Sequence, residues 1–162
     1  MREPDELSVA LRDEAATRAA GAALAAALSS AGGAGVLVTL AGELGSGKTT
    51  LVRGLLAALG VAGPVRSPTF TLLESYPAGA VTVHHLDWYR LAGGELEALG
   101  FRDLLGPGRW VLAEWPERAP EAAVRADLAL TLTYEGEGRR LRVQARTPTG
   151  RAVRARLEQG FA

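Results

Sequence analysis

The sequence predicts an α/β protein of three layers, with a mixed, mostly parallel central sheet, antiparallel edge strands and helices on its faces. Three observations carry this. The apolar run Val36-Leu37-Val38-Thr39-Leu40-Ala41 reads as a buried strand, and it passes through a glycine-rich turn into a row of leucines at helical spacing. Two more strand patterns, residues 80–86 and 109–113, each end in a carboxylate, Asp87 and Glu114. Residues 127–134 and 139–145 alternate around Glu135-Gly136-Glu137-Gly138, as an antiparallel pair does.

The elements follow in order. Residues 1–10 read as a loose lead-in. Asp13 is placed to cap a helix running to about Leu28, with Leu24 and Leu28 on one face. Thr17 lies inside that helix, where alanine would be the easier choice. Gly32, Gly33 and Gly35 mark a turn before the first buried strand. After it, Leu51, Val52, Leu55, Leu56 and Leu59 form a helix that Gly60 ends. Pro64 and Pro68 exclude a regular central strand or helix from the next segment, which reads as a loop rich in hydroxyls. Residues 71–76 and 80–86 form two strands about the turn Pro77-Ala78-Gly79. Residues 91–105 read as a short helix and loop, 108–113 as another buried strand, and 152–159 as a last short helix.

Between the first strand and its helix stands Gly42-Glu43-Leu44-Gly45-Ser46-Gly47-Lys48-Thr49, the pattern G-x-x-x-x-G-K-T in the setting it requires. Glycines let the backbone wrap closely, so successive N–H groups face an anion. The helix that follows adds the positive end of its dipole. Lys48 supplies a point charge for the β- and γ-phosphates, and Thr49 offers a hydroxyl oxygen to Mg²⁺. The fold expected is therefore that of a phosphate-loop (P-loop) NTPase.

At 162 residues the chain suits one domain, 1–162, with flexible ends at 1–10 and about 147–162. Its 18 basic and 18 acidic residues cancel, so bulk charge announces no nucleic-acid binder. There is no cysteine, which excludes disulfides and cysteine-based zinc sites. The charged opening Met1-Arg2-Glu3-Pro4-Asp5-Glu6 precedes no long apolar region, and the alanine-rich stretch 19–28 is too short to span a bilayer. A cytoplasmic enzyme is expected.

A phosphate-loop enzyme needs an acid near the metal, usually at the end of a second strand. Asp87 and Glu114 are the candidates: one carboxylate on Mg²⁺, directly or through water, and one orienting the attacking water. His84 and His85 are adjacent on a strand and face opposite sides, so they do not readily share an ion and read as packing or hydrogen-bonding residues. Trp88, Tyr89 and Trp115 cluster near the two acids, as core packing, a lid over the nucleotide or a partner-binding patch.

Taken together, Thr17, GELGSGKTT, SPTF (Ser67 to Phe70) with Tyr76, HLDWYR (His85 to Arg90) and AEWPE (Ala113 to Glu117) resemble the bacterial TsaE family, also called YjeE, over residues 17 to about 145. The phosphate loop alone is generic, and the combination is specific. Glu43 stands where the family more often has aspartate, and Ala113 where it often has isoleucine. The resemblance implies a small cytoplasmic Mg²⁺-dependent ATPase required for tRNA N6-threonylcarbamoyladenosine (t6A37) modification. It also implies partners, TsaB and TsaD, on which it docks and which its ATP hydrolysis resets for multiple turnovers. The tRNA is met only indirectly, no membrane is involved, and the protein is a monomer on its own. By position, Thr49 and Glu114 match the family's Mg²⁺ ligands, and Asp87 its essential acid, which orients water or holds metal-bound water. ATP is then bound by Glu43, Leu44, Gly45, Ser46, Gly47, Lys48, Thr49 and Thr50. Ser67 and Thr69 match a switch-like loop, Thr17 a threonine near the nucleotide, and Trp115 the tryptophan beside the magnesium-binding acid. Lys48, Asp87 and Glu114 are the catalytic expectations.

No residue announces itself as an arginine finger, although Arg90 is a candidate, so hydrolysis is expected to be slow alone and faster with partners. The rivals are a non-catalytic ATP-binding assembly factor and a small-molecule P-loop kinase, for which no clear Arg-bearing lid is seen. A GTPase is disfavoured because no [NT]-K-x-D sequence occurs. The arginine-rich stretch from Arg139 to Arg156 reads mainly as a solvated face, and otherwise as an RNA- or partner-facing patch.

Overall fold

The computed structural model describes residues 5–65, 67–69, 71–91, 95–98 and 100–161. Phe70 of the SPTF segment, residues 92–94 and 99 of the expected short helix and loop, and residues 1–4 lie outside them. One sheet of seven strands forms the middle layer: β1 (Glu6–Leu11), β2 (Val36–Ala41), β3 (Leu73–Ala78), β4 (Val81–Asp87), β5 (Arg109–Glu114), β6 (Leu128–Glu135) and β7 (Gly138–Ala145). Their order is β1-β7-β6-β2-β5-β4-β3. The four central strands β6, β2, β5 and β4 are parallel, while the pairings β3–β4, β6–β7 and β1–β7 at the margins are antiparallel.

Alternation along the strands sorts the core into two layers. On one face Val36, Val38 and Leu40 of β2 and Trp110 and Leu112 of β5 pack with Leu24 and Leu28 of α1 (Glu14–Ser29), Leu51, Leu55 and Leu56 of α2 (Lys48–Ala58), and Val153 and Leu157 of α5 (Pro148–Gly160). On the other, Leu37, Leu86, Val111 and Ala113 pack with Trp88, Phe101, Ala119 and Ala122. That side is covered by short pieces: α3 (Glu95–Ala98), α4 (Pro120–Ala123) and 3₁₀ turns at Phe101–Leu104 and Pro116–Arg118.

Asp13 caps α1 as expected, its carboxylate accepting from the Ala16 N–H at 2.8 Å. The ends differ from expectation. Residues 6–11 are not a loose lead-in: they form β1, paired antiparallel with β7 from Glu6↔Gln144 to Leu11↔Arg139, with Leu7 and Leu11 buried. The C-terminal helix is also longer and anchored. It starts at Pro148, is capped by the Thr147 hydroxyl accepting from Gly150 N–H, and buries Val153 and Leu157. Both ends are held because a neighbouring element covers their apolar side.

Pro77 is accommodated in β3 because that strand is the sheet's edge. The parallel arrangement brings the C-terminal ends of β2, β4 and β5 together, with Asp87 opposite Glu114 and Glu114 opposite Leu40 in register. Ligands of open α/β sheets bind at that edge.

Candidate nucleotide and metal site

The loop after β2 is shaped by its glycines. Gly45 (φ 80°) and Gly47 (φ 108°) occupy the left-handed region, and Gly47 is the residue from which α2 begins. The Ser46 N–H closes the turn on the Glu43 carbonyl at 3.0 Å, and the Leu51 N–H bonds Gly47 at 2.9 Å. Lys48 projects back across the loop, and its ammonium donates to the Gly42 carbonyl at 2.6 Å.

The same ammonium lies 3.6 Å from the centre of the Trp115 ring. Trp115 follows Glu114 directly and holds a left-handed backbone (φ 61°), which a bulky residue adopts at a cost. That turn folds the indole over Lys48. Tyr89 packs tilted against Trp115, ring centres 4.9 Å apart, and Arg118 lies 5.0 Å from the Tyr89 ring, so a pair of rings capped at each end by a cation leads outward from the loop. Burial pushes the Lys48 pKa below the ordinary lysine value, against the raising effect of Glu114, Asp87 and Glu117.

The two acids have distinct surroundings. Asp87 accepts from the Tyr89 N–H at 2.9 Å through one oxygen and from the Thr69 hydroxyl at 3.3 Å through the other. Ser67 and Thr69 hydroxyls are 2.9 Å apart, so the proline-containing loop is tied to the end of β4. Glu114 is 3 % exposed, and its Oε2 is 2.6 Å from Nε2 of His85, which is fully buried.

A cavity of about 310 Å³ unites these groups. Leu44, Gly45, Gly47, Lys48, Thr49, Thr50, Ser67, Thr69, Asp87, Glu114 and Trp115 line it, all expected from the sequence, together with Tyr89. Thr17 and Ser46 lie on the far side of the loop, in a second cavity of about 390 Å³ shared with Gly45, Gly47 and Thr50. There Thr17 faces Gly47. Glu43 is exposed and lines neither cavity, so it is not brought to the site. Arg90 is exposed and does not line the first cavity.

Oxygen donors from Thr49, Asp87 and Glu114 in one cleft suit Mg²⁺, which takes one or two carboxylates and completes its shell with water and phosphate. No cluster of three or more His, Cys, Asp or Glu is gathered for a metal among the described residues.

Sequence reasoning read His85 as a packing or hydrogen-bonding residue, as its bond to Glu114 bears out, but gave no role at this site to His85, Tyr134 or Arg139. His85 was legible from H-x-D, since a spacing of two puts His85 and Asp87 on one face of β4. Tyr134 and Arg139 of the β6–β7 hairpin reach the loop's carbonyls from across the sheet, and no local pattern announces them.

Comparison with known proteins agrees with this geometry. The family model "Threonylcarbamoyl adenosine biosynthesis protein TsaE" matches residues 11–142. A Haemophilus influenzae protein named tRNA threonylcarbamoyladenosine biosynthesis protein TsaE is 39% identical over 119 residues, 73% of this chain and 75% of that one. A protein of the same name from Nostoc sp. is 41% identical over 112 residues, 66% of this chain and 68% of the relative. The crystal structure of Bacillus subtilis YdiB superposes with a TM-score of 0.76 at 22% identity over the whole of both chains, a likeness of fold. The motifs that fill the first cavity, the extent of the model match and the identity to these relatives together make this chain a member of the TsaE family.

Proposed function

We propose that the protein is a Mg²⁺-dependent ATPase serving tRNA N6-threonylcarbamoyladenosine (t6A37) modification, acting on a TsaB–TsaD complex to permit multiple turnovers. The observation that carries the reading is the convergence of Lys48, Thr49, Asp87 and Glu114 on one cavity behind a glycine-shaped loop. The relatives' names supply the pathway.

The loop's N–H groups and the start of α2 receive the phosphates. Lys48 exchanges the Gly42 carbonyl for phosphate oxygens. Thr49 and Glu114 hold the metal, and Asp87 orients water toward the γ-phosphoryl group, positioned by its bonds to Thr69 and Tyr89. Magnesium, when bound, supplies Lewis-acid neutralisation of the phosphoryl oxygens. The second cavity, with Thr17 at its wall, leaves room for the nucleoside.

No arginine lines the first cavity among the described residues. Hydrolysis by the protein alone is expected to be slow, and a partner that supplies a transition-state charge is expected to accelerate it by about 10³-fold or more. The protein works in the cytoplasm as a monomer until it docks; no described helix is long and apolar enough to cross a membrane.

The test is steady-state ATP hydrolysis with and without TsaB–TsaD, together with the yield of modified tRNA. Stimulation with multiple turnovers supports the reading. An equal rate in both mixtures overturns the stimulated ATPase. An Asp87→Ala protein that binds ATP, assembles and still supports full turnover would instead favour a non-catalytic assembly factor.

A further inference from the structure

Three consecutive carbonyls of the phosphate loop are held from outside by one pair of side chains. The Tyr134 hydroxyl donates to the Leu44 carbonyl at 3.0 Å. Arg139 donates from Nη2 to the Gly45 carbonyl at 3.2 Å and from Nε to the Ser46 carbonyl at 3.1 Å. Its third nitrogen, Nη1, bonds the Gly138 carbonyl at 2.9 Å, which fixes the guanidinium to its own strand. Tyr134 and Arg139 are directly opposite in the β6–β7 register, and the guanidinium lies 4.2 Å from the Tyr134 ring centre. On its other side Arg139 pairs with Leu11 of β1. The pair thus stands on a three-stranded, antiparallel platform.

The consequence follows from peptide geometry. In a trans peptide the C=O of one residue and the N–H of the next point opposite ways. Tying the Leu44 and Ser46 carbonyls outward turns the Gly45 and Gly47 N–H groups inward. The Ser46 N–H closes the turn on Glu43. These glycines have positive φ and no side chain to hold them, so the loop's own sequence does not fix this arrangement. A planar guanidinium with donors in a fixed fork can hold two adjacent carbonyls at once, and an ammonium cannot do so in the same geometry.

We infer that Arg139 and Tyr134 are positioning residues for the phosphate loop: the β6–β7 hairpin preorganises its inward N–H groups for anion binding. The inference rests on reading the loop as a nucleotide site, and it assigns no contact between either side chain and the reacting phosphate. Arg139 also lines the second cavity, and a direct contact with the nucleoside there would lower affinity without changing loop exchange in the ligand-free protein.

The test uses the full chain with Arg139→Gln, Arg139→Lys and Tyr134→Phe. Amide hydrogen exchange of the ligand-free protein is followed at Ser46, whose N–H bonds the Glu43 carbonyl, and ATP affinity is followed with a fluorescent ATP analogue. Arg139→Gln is expected to exchange about tenfold faster at the loop and to bind ATP about tenfold more weakly, the size of a lost charge-assisted bond. Exchange in β2 and kcat at saturating ATP should stay within about threefold, because bound phosphate restores the loop. Arg139→Lys recovers only part of the affinity. Tyr134→Phe, which keeps the ring and loses one donor, shows a smaller change of the same sign, and it decides the matter if Arg139→Gln fails to fold. Unchanged loop exchange overturns the inference, as does a large fall in kcat at unchanged affinity. Failure of the wild-type protein to bind ATP would refute the nucleotide reading, while the exchange comparison, which needs no nucleotide, would still decide this one.

Discussion

Nε2 of His85 lies 2.6 Å from Oε2 of Glu114, and neither side chain is reached by solvent to any useful extent. A carboxylate accepts and does not donate, so the imidazole N–H is directed at one oxygen of Glu114, a residue that also lines the cavity. Nδ1 of the same ring is buried without a hydrogen-bond partner among the described residues. Replacing His85 with Phe would strand a buried carboxylate oxygen. The expected loss is about 1–3 kcal/mol of folding stability, with weaker magnesium-dependent ATP binding. His85→Gln, which retains a donor, should recover part of both. Urea unfolding and a magnesium titration monitored by a fluorescent ATP analogue check this; wild-type behaviour of His85→Phe in both would refute it.

Lys48 illustrates a trade of stability against function. Burial lowers its pKa, and Glu114, Asp87 and Glu117 only partly oppose this. The folded protein therefore carries the charged ammonium at a net cost. That cost is constant while Lys48 is protonated in both states. It is relieved as pH rises through the lowered folded value toward the ordinary lysine value, because the folded chain releases its proton first. Lys48→Met should make the ligand-free protein equally or more stable at neutral pH and weaken ATP binding by about tenfold or more. Any stability advantage should shrink in that alkaline window. Thermal unfolding across pH, paired with binding measurements, tests both halves. A markedly less stable Lys48→Met protein would show that the bonds to Gly42 and Trp115 outweigh the burial cost.

Helices α1 and α2 approach through two glycines. A Cβ on Gly54 would run into the Arg18 carbonyl, and one on Gly21 into the Leu51 carbonyl and the Leu55 N–H. These neighbours are backbone and cannot swing away. Gly54→Ala gains helix propensity of about 1 kcal/mol, but separating the helices costs more, so a net loss of about 2–3 kcal/mol is expected. Because α2 begins at the phosphate loop, ATP affinity should fall too. Denaturant melts of Gly54→Ala and Gly21→Ala measure this, and a stabilised Gly54→Ala protein would contradict the packing.

What the sequence made legible was local. Strand, loop and helix around Lys48 are contiguous, and Asp87 and Glu114 mark strand ends, so the first cavity could be assembled residue by residue. Pairings across long separations were not legible. β1 is a short strand whose apolar residues gain meaning only against β7, and Arg139 looks like one more arginine until register sets it beside Tyr134 and the loop. Gly21 and Gly54 resemble ordinary small residues inside helices until the crossing is known. The start of α5 is different: Thr147-Pro148 is a helix-start pattern that was present to be read.

His84 gives a separate pH dependence away from the loop. It is buried, its Nδ1 is 2.8 Å from the Ser75 hydroxyl, and burial, then the Arg109 charge, lowers its pKa below the ordinary imidazole value. As pH falls through about 6.5, the unfolded chain takes up a proton that the folded one still refuses. The unfolded state then binds more protons, so stability falls with pH until the folded imidazole also titrates. His84→Gln can still bond Ser75 but cannot be protonated. Unfolding free energies of both proteins at about pH 7.5 and about pH 5.5 should therefore differ: the wild type loses more on acidification than the variant, since the other titrating groups cancel in the comparison. Arg109→Gln should fall between them, because it removes the second cause and leaves the first. Equal acid losses in the wild type and His84→Gln would show that this imidazole charges as easily in the fold as outside it.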